Sequence, residues 1–238
     1  MAIEYNNQKI VTDGIVFYLD AANRKSYPGT GTTWYDLSGN GINASLNNTV
    51  TYETNYQGEM SFNDTDDYAV ATYNSSNFIN TNYSWFCFTI GEQISTSVHN
   101  MPDIGYGSGA WPRMGFKELQ GNGWEWRSYS SGGASTVHSM SIIPSSTPSD
   151  WVCLAFTADY DNTETKGYYN GNLANTNNSF PDVTGNNSNF GIGKSGSTAS
   201  VWNEAFIGSF SIVIVYNRAL TAEEVSQNFN ALRGRYGI

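Results

Sequence analysis

The 238-residue sequence has little of the residues from which catalytic and metal sites are most often built, with two cysteines and two histidines. Cys87, Cys153, His99 and His138 do not have a zinc-binding spacing, and no nucleophile-elbow motif marks a catalytic serine. Each cysteine lies inside an apolar run, which favours buried free thiols, with one disulfide as the alternative. The scarcity of these side chains argues against zinc and serine-hydrolase chemistry.

Charge is also scarce. Charged residues make up 13% of the chain, and 11 basic residues against 21 acidic ones leave a formal net charge of −10. An acidic chain repels phosphate backbones, so we expect no nucleic-acid partner and read the acidity as a contribution to solubility. No apolar run approaches the roughly 20 residues that cross a bilayer, and no signal peptide is visible at the N-terminus. The sequence therefore predicts no membrane partner.

Aromatic and small polar residues take the place of charge. The chain has 16 Tyr, 12 Phe and 7 Trp, and Asn, Ser, Thr and Gly must cover most of its surface, which favours strands and turns over helices. Residues 14–20 and 151–157 are apolar throughout and predict strands that are covered on both faces. Asn170-Gly171 is the strongest hairpin signal, because both residues tolerate a positive φ.

Strand signals recur at fairly even spacing along most of the chain, and a single helix signal follows them. This pattern predicts an all-β, antiparallel two-sheet sandwich with one C-terminal helix. No long linker and no internal repeat divides the sequence. We therefore expect one domain at residues 10–238, preceded by an extension at residues 1–9.

Two stretches with period-two alternation lie on either side of the polar turn at residues 63–67. The alternating residues are Met60 and Phe62 before the turn and Tyr68, Val70 and Thr72 after it. The simplest interpretation is a hairpin of two half-buried strands.

The last thirty residues contain the helix signal. Thr221 and Glu224 form a capping-box pattern, and Leu220 can pack on Val225 as a hydrophobic staple. Gly234 is expected to end the helix in the left-handed conformation. The apolar stripe of the helix is Val225, Phe229 and Leu232. We expect this helix to seal one end of the sandwich.

The region from residue 105 to residue 129 is rich in glycine and aromatic residues. Residues 105–112 read as a loop, and strand alternation beyond it places Trp124 and Trp126 on one face and Glu125 with Arg127 on the other. Sugars stack their apolar faces on aromatic rings, although the alternative is that most of these rings fill the core. The predicted glycan contacts are Tyr106, Trp111, Trp124, Trp126 and Tyr129.

Several segments, in this order, resemble the laminin-G-like, concanavalin A-like lectin/glucanase family. The similarity extends from about residue 10 to the end of the chain and implies a jelly-roll sandwich. The closing residues 228–238 are similar to endings of structural proteins from tailed phages of marine bacteria. The resembling segments are residues 14–23 (GIVFYLDAAN), 34–41 (WYDLSGNG), 61–68 (SFNDTDDY), 151–160, 169–171 (YNG) and 216–225 (YNRALTAEEV).

The resemblance also implies calcium at the rim of the sandwich, which needs hard oxygen ligands. Members commonly carry an Asp just after the glycine that leads the last strand, and here Ser209 and Ser211 follow Gly208. A second departure is an Asp at position 64, where members commonly have Gly. The candidate calcium ligands that remain are Asp36, Asp66 and Asp67.

Glycosidases of this family usually present a strand with the spacing Glu-x-Asp-x-(x)-Glu, which sets two carboxylates side by side. No such spacing occurs in this chain. Glu125 is the best single candidate for a carboxylate perturbed by its aromatic neighbours, and an outward-facing strand residue is the alternative. We predict no catalytic residue.

Together these patterns predict a noncatalytic virion structural or decoration protein at the surface of a phage particle. Its expected partners are other virion proteins or a second copy of itself, with a cell-surface glycan as a further ligand. The alternative function is a carbohydrate-binding adhesin without a virion role, and an enzyme comes third. Calcium is the one cofactor that the resemblance implies.

Overall fold

Strands form most of the described chain. The structure is a computed structural model that describes residues 8–62, 66–73, 81–91, 99–106, 114–119, 123–129, 136–143, 150–179, 188–193 and 206–238. Helix α1 spans Ala222–Leu232. The strands are β1 (Ile15–Asp20), β2 (Thr33–Trp34), β3 (Ala44–Asn47), β4 (Thr51–Glu53), β5 (Glu59–Phe62), β6 (Tyr68–Tyr73), β7 (Tyr83–Gly91), β8 (His99–Tyr106), β9 (Met114–Leu119), β10 (Gly123–Tyr129), β11 (Thr136–Ile143), β12 (Val152–Asp159), β13 (Glu164–Tyr169), β14 (Asn172–Asn177), β15 (Ser188–Ile192) and β16 (Gly208–Tyr216).

The strands form two sheets of eight. Sheet A has the order β14-β13-β12-β7-β16-β5-β4, and β1 pairs with β16 along the same edge as β5. Sheet B has the order β11-β10-β9-β8-β15-β6-β3-β2. Every strand pair is antiparallel. The predicted antiparallel two-sheet sandwich is confirmed, and so is the hairpin at Asn170-Gly171, where both residues have positive φ.

Large aromatic side chains fill the space between the sheets. Trp126 of sheet B stacks on Phe156 of sheet A, with ring centroids 3.9 Å apart and planes 5° apart. Phe17 stacks on Phe190 in the same way at 4.9 Å. Such parallel rings bury large apolar areas with few cavities, so they account for much of the stability of the sandwich.

Sheet A has a second apolar layer on its outer face, where α1 and the C-terminal residues pack. Val225 of α1 is fully buried there, and Tyr236 stacks on Phe88 with ring centroids 4.3 Å apart. The apolar residues 151–157 are therefore buried on both faces, as predicted. The helix lies on a face of sheet A, so the expectation that it seals an end of the sandwich is wrong. The apolar stripe of α1 packs on a flat apolar surface, and the outer face of sheet A provides one.

The helix begins as predicted and ends differently. The backbone N–H of Glu224 donates to Thr221 Oγ1 at 3.3 Å, and that of Thr221 donates to Glu224 Oε2 at 2.9 Å, which completes the capping box. The predicted left-handed stop at Gly234 is wrong, because the chain continues into a 3₁₀ turn at Arg233–Arg235. That turn carries Arg235 to the buried Asp20, which its guanidinium contacts at 2.8 Å.

The predicted hairpin around residues 63–67 is also wrong. β5 pairs with β4 and β16 in sheet A, whereas β6 pairs with β3 and β15 in sheet B. The face assignment of β6 is reversed as well, since Ala69 and Ala71 are buried in the core while Val70 is only half-buried. Phe190 lies directly opposite Ala71, and its ring stacks on Phe17 in the core.

The two cysteines are free and buried, as the sequence favours. Their strands pair so that Cys153 lies opposite Phe88 and Cys87 opposite Leu154. Cys87 therefore belongs to the core between the sheets and Cys153 to the layer beneath α1. The alternative of a disulfide is excluded because the two thiols lie on opposite faces of one sheet. Burial raises the pKa of the Cys87 thiol, which keeps it protonated and unreactive.

Candidate functional site

The outer face of sheet B has no helix over it among the described residues, unlike the outer face of sheet A. Its strands are in register, so one residue from each of seven strands forms a row across the sheet. At about 4.8 Å per strand the row is about 29 Å long. Two of its positions are glycine and carry no side chain. In order across the sheet the row is Ser45, Val70, Gly191, Asp103, Gly115, Arg127 and Ser139.

Glu125 lies in the neighbouring row of the same face. The register sets it opposite Lys117 on one side and Ser141 on the other. Its side chain is directed away from the core between the sheets, yet Glu125 is only 4% exposed. A carboxylate is costly to bury, and its low exposure leaves Glu125 almost no surface that a ligand could contact.

Several described side chains near these rows are small and polar, whereas Val70 is apolar and half-buried. Ser45, Thr72 and Ser141 are exposed, and Asn189 is half-buried opposite Thr72. Hydroxyl and amide groups both donate and accept hydrogen bonds. A face with this lining can bind a hydroxyl-rich ligand that lies across the strands.

Two of the predicted aromatic contacts, Trp124 and Trp126, do not lie on the outer face of sheet B. Trp124 and Trp126 are 1% and 0% exposed and point into the core, where Trp126 also packs edge-on against Trp85 at 5.5 Å. This corrects their assignment as glycan contacts, because a buried ring offers no face to a ligand. The predicted alternation is confirmed, since Glu125 lies on the opposite face from both indoles.

The other three aromatic residues, Tyr106, Trp111 and Tyr129, remain predicted glycan contacts. Tyr106 and Tyr129 are the last residues of β8 and β10, opposite Ser188 and Thr136 respectively. Trp111 lies outside the described residues. The backbone of β8 and β10 thus brings Tyr106 and Tyr129 to the sheet that presents the polar rows, although residues 105 and 106 are strand and not loop as expected.

Asp36, one of the predicted calcium ligands, organises a loop. Its carboxylate accepts hydrogen bonds from the backbone N–H groups of Tyr18, Ser38 and Ile42 at 2.9 to 3.1 Å. The hydroxyl of Ser38 donates to the same carboxylate at 2.6 Å. Protein donors therefore already use both of its oxygens.

Asp66 and Asp67 complete the predicted calcium set. Asp67 is buried and accepts from the backbone N–H and the hydroxyl of Thr49 at 2.7 and 2.8 Å, while Asp66 is exposed. Across the ranges that the structure describes, no three His, Cys, Asp or Glu side chains come together as a metal site. The three aspartates therefore do not fit a calcium site made from them alone.

A second polar cluster lies at the edge of the covered face and is structural. Asp20 accepts hydrogen bonds from the guanidinium of Arg235 at 2.8 Å, the hydroxyl of Tyr18 at 3.2 Å and the backbone N–H of Ala22 at 3.0 Å. Burial, and after it the nearby Asp20 carboxylate, raises the pKa of Tyr18. These contacts tie the C-terminus to β1 and leave no open ligand position on Asp20.

Sequence reasoning missed the polar face. Ser45, Thr72 and Asn189 carry no motif, and a glycine such as Gly191 in a strand reads as a weakness of the strand. The available signal was the alternation in β6, where small residues 69 and 71 alternate with Val70 and Thr72. That alternation leaves the choice of buried face open, because alanine and valine are both common inside proteins.

Comparison with known families gives one match. The profile of a laminin G-type family, described as the concanavalin A-like lectin/glucanases superfamily, matches residues 63–226. No curated protein matches the chain. Within the described residues no helix is long and apolar enough to span a membrane.

Solved structures share the fold at low sequence identity. A Trypanosoma rangeli sialidase in complex with 2,3-difluorosialic acid superposes with a TM-score of 0.65 at 17% identity, over 93% of this chain and 34% of the sialidase. The binding domain of Paraclostridial Mosquitocidal Protein 1 gives 0.66 at 17% identity, over 92% and 52%. The receptor binding domain of botulinum neurotoxin type G gives 0.65 at 14% identity, over 91% and 51%. The chain thus spans a third to a half of these proteins.

Proposed function

Because the chain belongs to the concanavalin A-like lectin/glucanases superfamily, we propose that it is a noncatalytic carbohydrate-binding module whose ligand lies across the outer face of sheet B. The observation that carries the proposal is the contrast between the two outer faces. The outer face of sheet A is covered by an apolar layer, whereas the outer face of sheet B presents the exposed polar residues Ser45, Thr72 and Ser141. A glycan chain is long, narrow and rich in hydroxyl groups, which suits a row of about 29 Å.

Small polar side chains supply the hydrogen-bonding groups of this face. Thr72 is exposed, and Asn189 lies half-buried opposite it. Gly115 and Gly191, on either side of Asp103 in the long row, are buried, so the proposed ligand contacts are the side chains of Asn189 and Thr72.

The structural neighbours are compatible with a binding module. They include binding domains of two toxins, and a sialidase of which this chain covers only a third. The paired carboxylates of the family's glycosidases are absent from the sequence. Glu125 is a single carboxylate, and binding needs no second one.

The biological setting that we propose is the surface of a phage particle. The resemblance of residues 228–238 to endings of phage structural proteins supports it. In that setting the module decorates the particle, contacts other virion proteins or a second copy of itself, and binds cell-surface glycan. Mass spectrometry of purified particles tests this part by itself, because an adhesin without a virion role is absent from them.

A glycan array followed by calorimetry tests carbohydrate binding. We expect a defined hit whose affinity falls about fivefold in Asn189→Ala and in Thr72→Ala, as expected for lost neutral hydrogen bonds. Ser226→Ala on α1 is the matched control and should bind like the unmodified protein. A chelator should leave the affinity unchanged, because the predicted aspartates form no ligand set.

Three results count against the proposal. They are the absence of any array hit, a hit that neither Asn189→Ala nor Thr72→Ala weakens, and hydrolysis of the bound glycan that Glu125→Gln abolishes. The last result favours an enzyme. Thermal unfolding of each variant separates lost binding from lost folding, and Thr72→Ala keeps the test valid if Asn189→Ala does not fold.

A further inference from the structure

Three asparagines of the chain are followed directly by glycine, at Asn40, Asn122 and Asn170. An Asn-Gly pair is chemically reactive, because glycine has no side chain to hinder attack of its backbone nitrogen on the preceding side-chain amide. Asn122 lies outside the described residues. In the other two pairs Gly41 and Gly171 have nearly the same φ, 71° and 75°, so the glycine conformation does not distinguish them. Their surroundings do.

The Asn170-Gly171 pair is held by hydrogen bonds and packing. Asn170 Oδ1 accepts from the backbone N–H of Cys153 at 2.8 Å, and the backbone N–H of Asn170 donates to the Cys153 carbonyl at 2.9 Å. The backbone N–H of Gly171 donates to the Cys153 thiol. A Cβ on Gly171 would lie 2.7 Å from Cδ1 of Phe229, so α1 packs closely on this turn. The pair can react only after these contacts open.

The Asn40-Gly41 pair is open. Both residues are exposed, and so is Gly39 before them. Within the described chain the backbone N–H of Gly41 donates no hydrogen bond, and a Cβ on Gly41 would meet nothing within 4 Å. Asn40 Nδ2 donates to the carbonyl of Val16 at 2.9 Å and to the hydroxyl oxygen of Ser38 at 3.1 Å. The attacking nitrogen therefore has neither a protein partner nor a steric obstacle.

We propose that Asn40 is a site of spontaneous deamidation, and that its conversion releases the loop at residues 36–42 from β1. The backbone nitrogen of Gly41 attacks Cγ of Asn40, and the new C–N bond closes a five-membered succinimide. The bond from Cγ to Nδ2 breaks, and Nδ2 leaves as ammonia with the proton from the N–H of Gly41. Water then opens the ring at either carbonyl and yields aspartate or isoaspartate. The reaction needs no oxidant or cofactor, and it does not depend on the proposed glycan face.

Deamidation removes a donor that holds this loop on β1. A carboxylate at position 40 cannot donate to the carbonyl of Val16, and two acceptor oxygens in that position repel each other. The loop has two further contacts with β1, both at Tyr18. Its backbone N–H donates to Asp36 Oδ1 at 2.9 Å, and its carbonyl accepts from the backbone N–H of Leu37 at 2.8 Å. We expect these two contacts to weaken when the Asn40 contact is lost.

The new charge also lies close to an existing carboxylate. The hydroxyl of Ser38 donates to Asp36 Oδ2 at 2.6 Å, and the same hydroxyl oxygen accepts from Asn40 Nδ2. Deamidation therefore sets a second carboxylate one hydroxyl group away from Asp36, and that hydroxyl has a single proton to donate. Like charges at such a separation repel each other. Isoaspartate also lengthens the main chain of the loop, so both products disfavour the present loop conformation.

Peptide mapping by mass spectrometry, over a time course at mildly alkaline pH, tests the reaction on the whole chain. Asn170 of the same molecules is the internal control, because it experiences the same pH, temperature and time. In the folded protein we expect Asn40 to convert at least about tenfold faster than Asn170, since the protected pair must first open locally. In urea the two asparagines should convert at similar rates, because glycine follows both.

Three results of this time course overturn the inference. Asn170 of the folded chain could convert as fast as Asn40, or Asn40 of the folded chain could stay unmodified while it converts in urea. The third is the same advantage of Asn40 in urea, which would assign the difference to the local sequence and not to the fold.

Hydrogen exchange tests the release of the loop. Asn40→Asp reproduces one product, and Asn43→Asp is the matched control. The control adds the same charge nearby but keeps an oxygen to accept the backbone N–H of Asp36, which Asn43 Oδ1 binds at 3.0 Å. We expect the backbone N–H groups of Tyr18 and Leu37 to exchange about tenfold faster in Asn40→Asp and at the unmodified rate in Asn43→Asp.

Deamidated protein gives the same measurement without a substitution. Its extra negative charge allows it to be separated from the unmodified chain by ion exchange, so the test remains valid if Asn40→Asp does not fold. Unchanged exchange of the two N–H groups in the deamidated protein, or equal acceleration in both aspartate variants, would contradict the proposed release of the loop.

Discussion

The two outer faces of the sandwich differ in what their side chains are used for. On sheet A, residues of β7, β12 and β16 alternate between two apolar layers, one toward sheet B and one beneath α1. On sheet B, β6 and β15 direct Ala71 and Phe190 inward and Thr72 and Asn189 outward. Both sheets have the same backbone geometry. The comparison teaches that sheet A is buried in apolar layers on both faces, whereas the described residues of β6 and β15 have one apolar face and one polar face.

The largest expected effect comes from removing an apolar side chain from the covered face. Trp151 is buried there against Tyr236 and Tyr56, with ring centroids 4.7 and 5.4 Å away. Trp151→Ala should lower the free energy of unfolding by about 3 to 5 kcal/mol, because it leaves a cavity. Thr72→Ala on the open face should change it by less than about 0.5 kcal/mol. Urea unfolding measures the free energy of unfolding of both variants. Equal losses would show that the two faces contribute equally to stability.

A middle-sized effect is expected at the ion pair that holds the C-terminus on the covered face. Arg235 contacts the buried Asp20, whereas the neighbouring Arg233 binds the terminal carbonyl of Ile238 at the surface. Arg235→Gln should lower the free energy of unfolding by about 2 kcal/mol, since it removes a charged hydrogen bond from a buried carboxylate. Arg233→Gln is the control and should cost less than about 0.5 kcal/mol. A similar small cost in both variants would show that the pair does not hold the covered layer.

The smallest effects concern pH and have opposite signs at two glutamates. The hydrogen bonds from Arg218 lower the pKa of Glu224, so its contribution to stability is present above the carboxyl pKa of the unfolded chain and is lost as the pH falls through the folded value. Burial raises the pKa of Glu59, so its contribution is present at low pH and is lost as the pH rises through the raised value.

Glutamine variants separate these two signs. Glu224→Gln should lower the midpoint of thermal unfolding at pH 7 and leave it nearly unchanged at low pH, where Glu224 of the unmodified protein is protonated. Glu59→Gln should raise the midpoint at pH 7 and have little effect at low pH. The shift at Glu224 corresponds to less than about 1 kcal/mol, because a partly exposed ion pair contributes little. Shifts of the same sign at pH 7 would contradict the assignment.

Local signals in the sequence were reliable where a few neighbouring residues decide the conformation. The capping box at Thr221 and Glu224 formed as predicted because it involves only one turn of backbone. The turn at Asn170-Gly171 formed because both residues adopt positive φ at low cost. Gly234 failed as a helix stop because a distant partner, Asp20, draws Arg235 into a continued turn.

The candidate site was predictable only in part. Alternation correctly separated Glu125 from Trp124 and Trp126, since successive residues of a strand point to opposite faces. It did not say which of the two faces is the core, and the indoles proved to be the buried pair. The neighbours of Asn189 and of the glycines across the sheet depend on strand register. Residues far apart in the chain set that register.

The sequence by itself determined the strand-rich composition, the family, the antiparallel sandwich, the Asn170-Gly171 turn and the start of the helix. Each of these depends on residue type, on short-range periodicity or on backbone preferences within a few residues. Tertiary structure alone decided that α1 covers a face and that β5 and β6 belong to different sheets. Those outcomes depend on which apolar surfaces meet, and this is set by packing between segments that are distant in the chain.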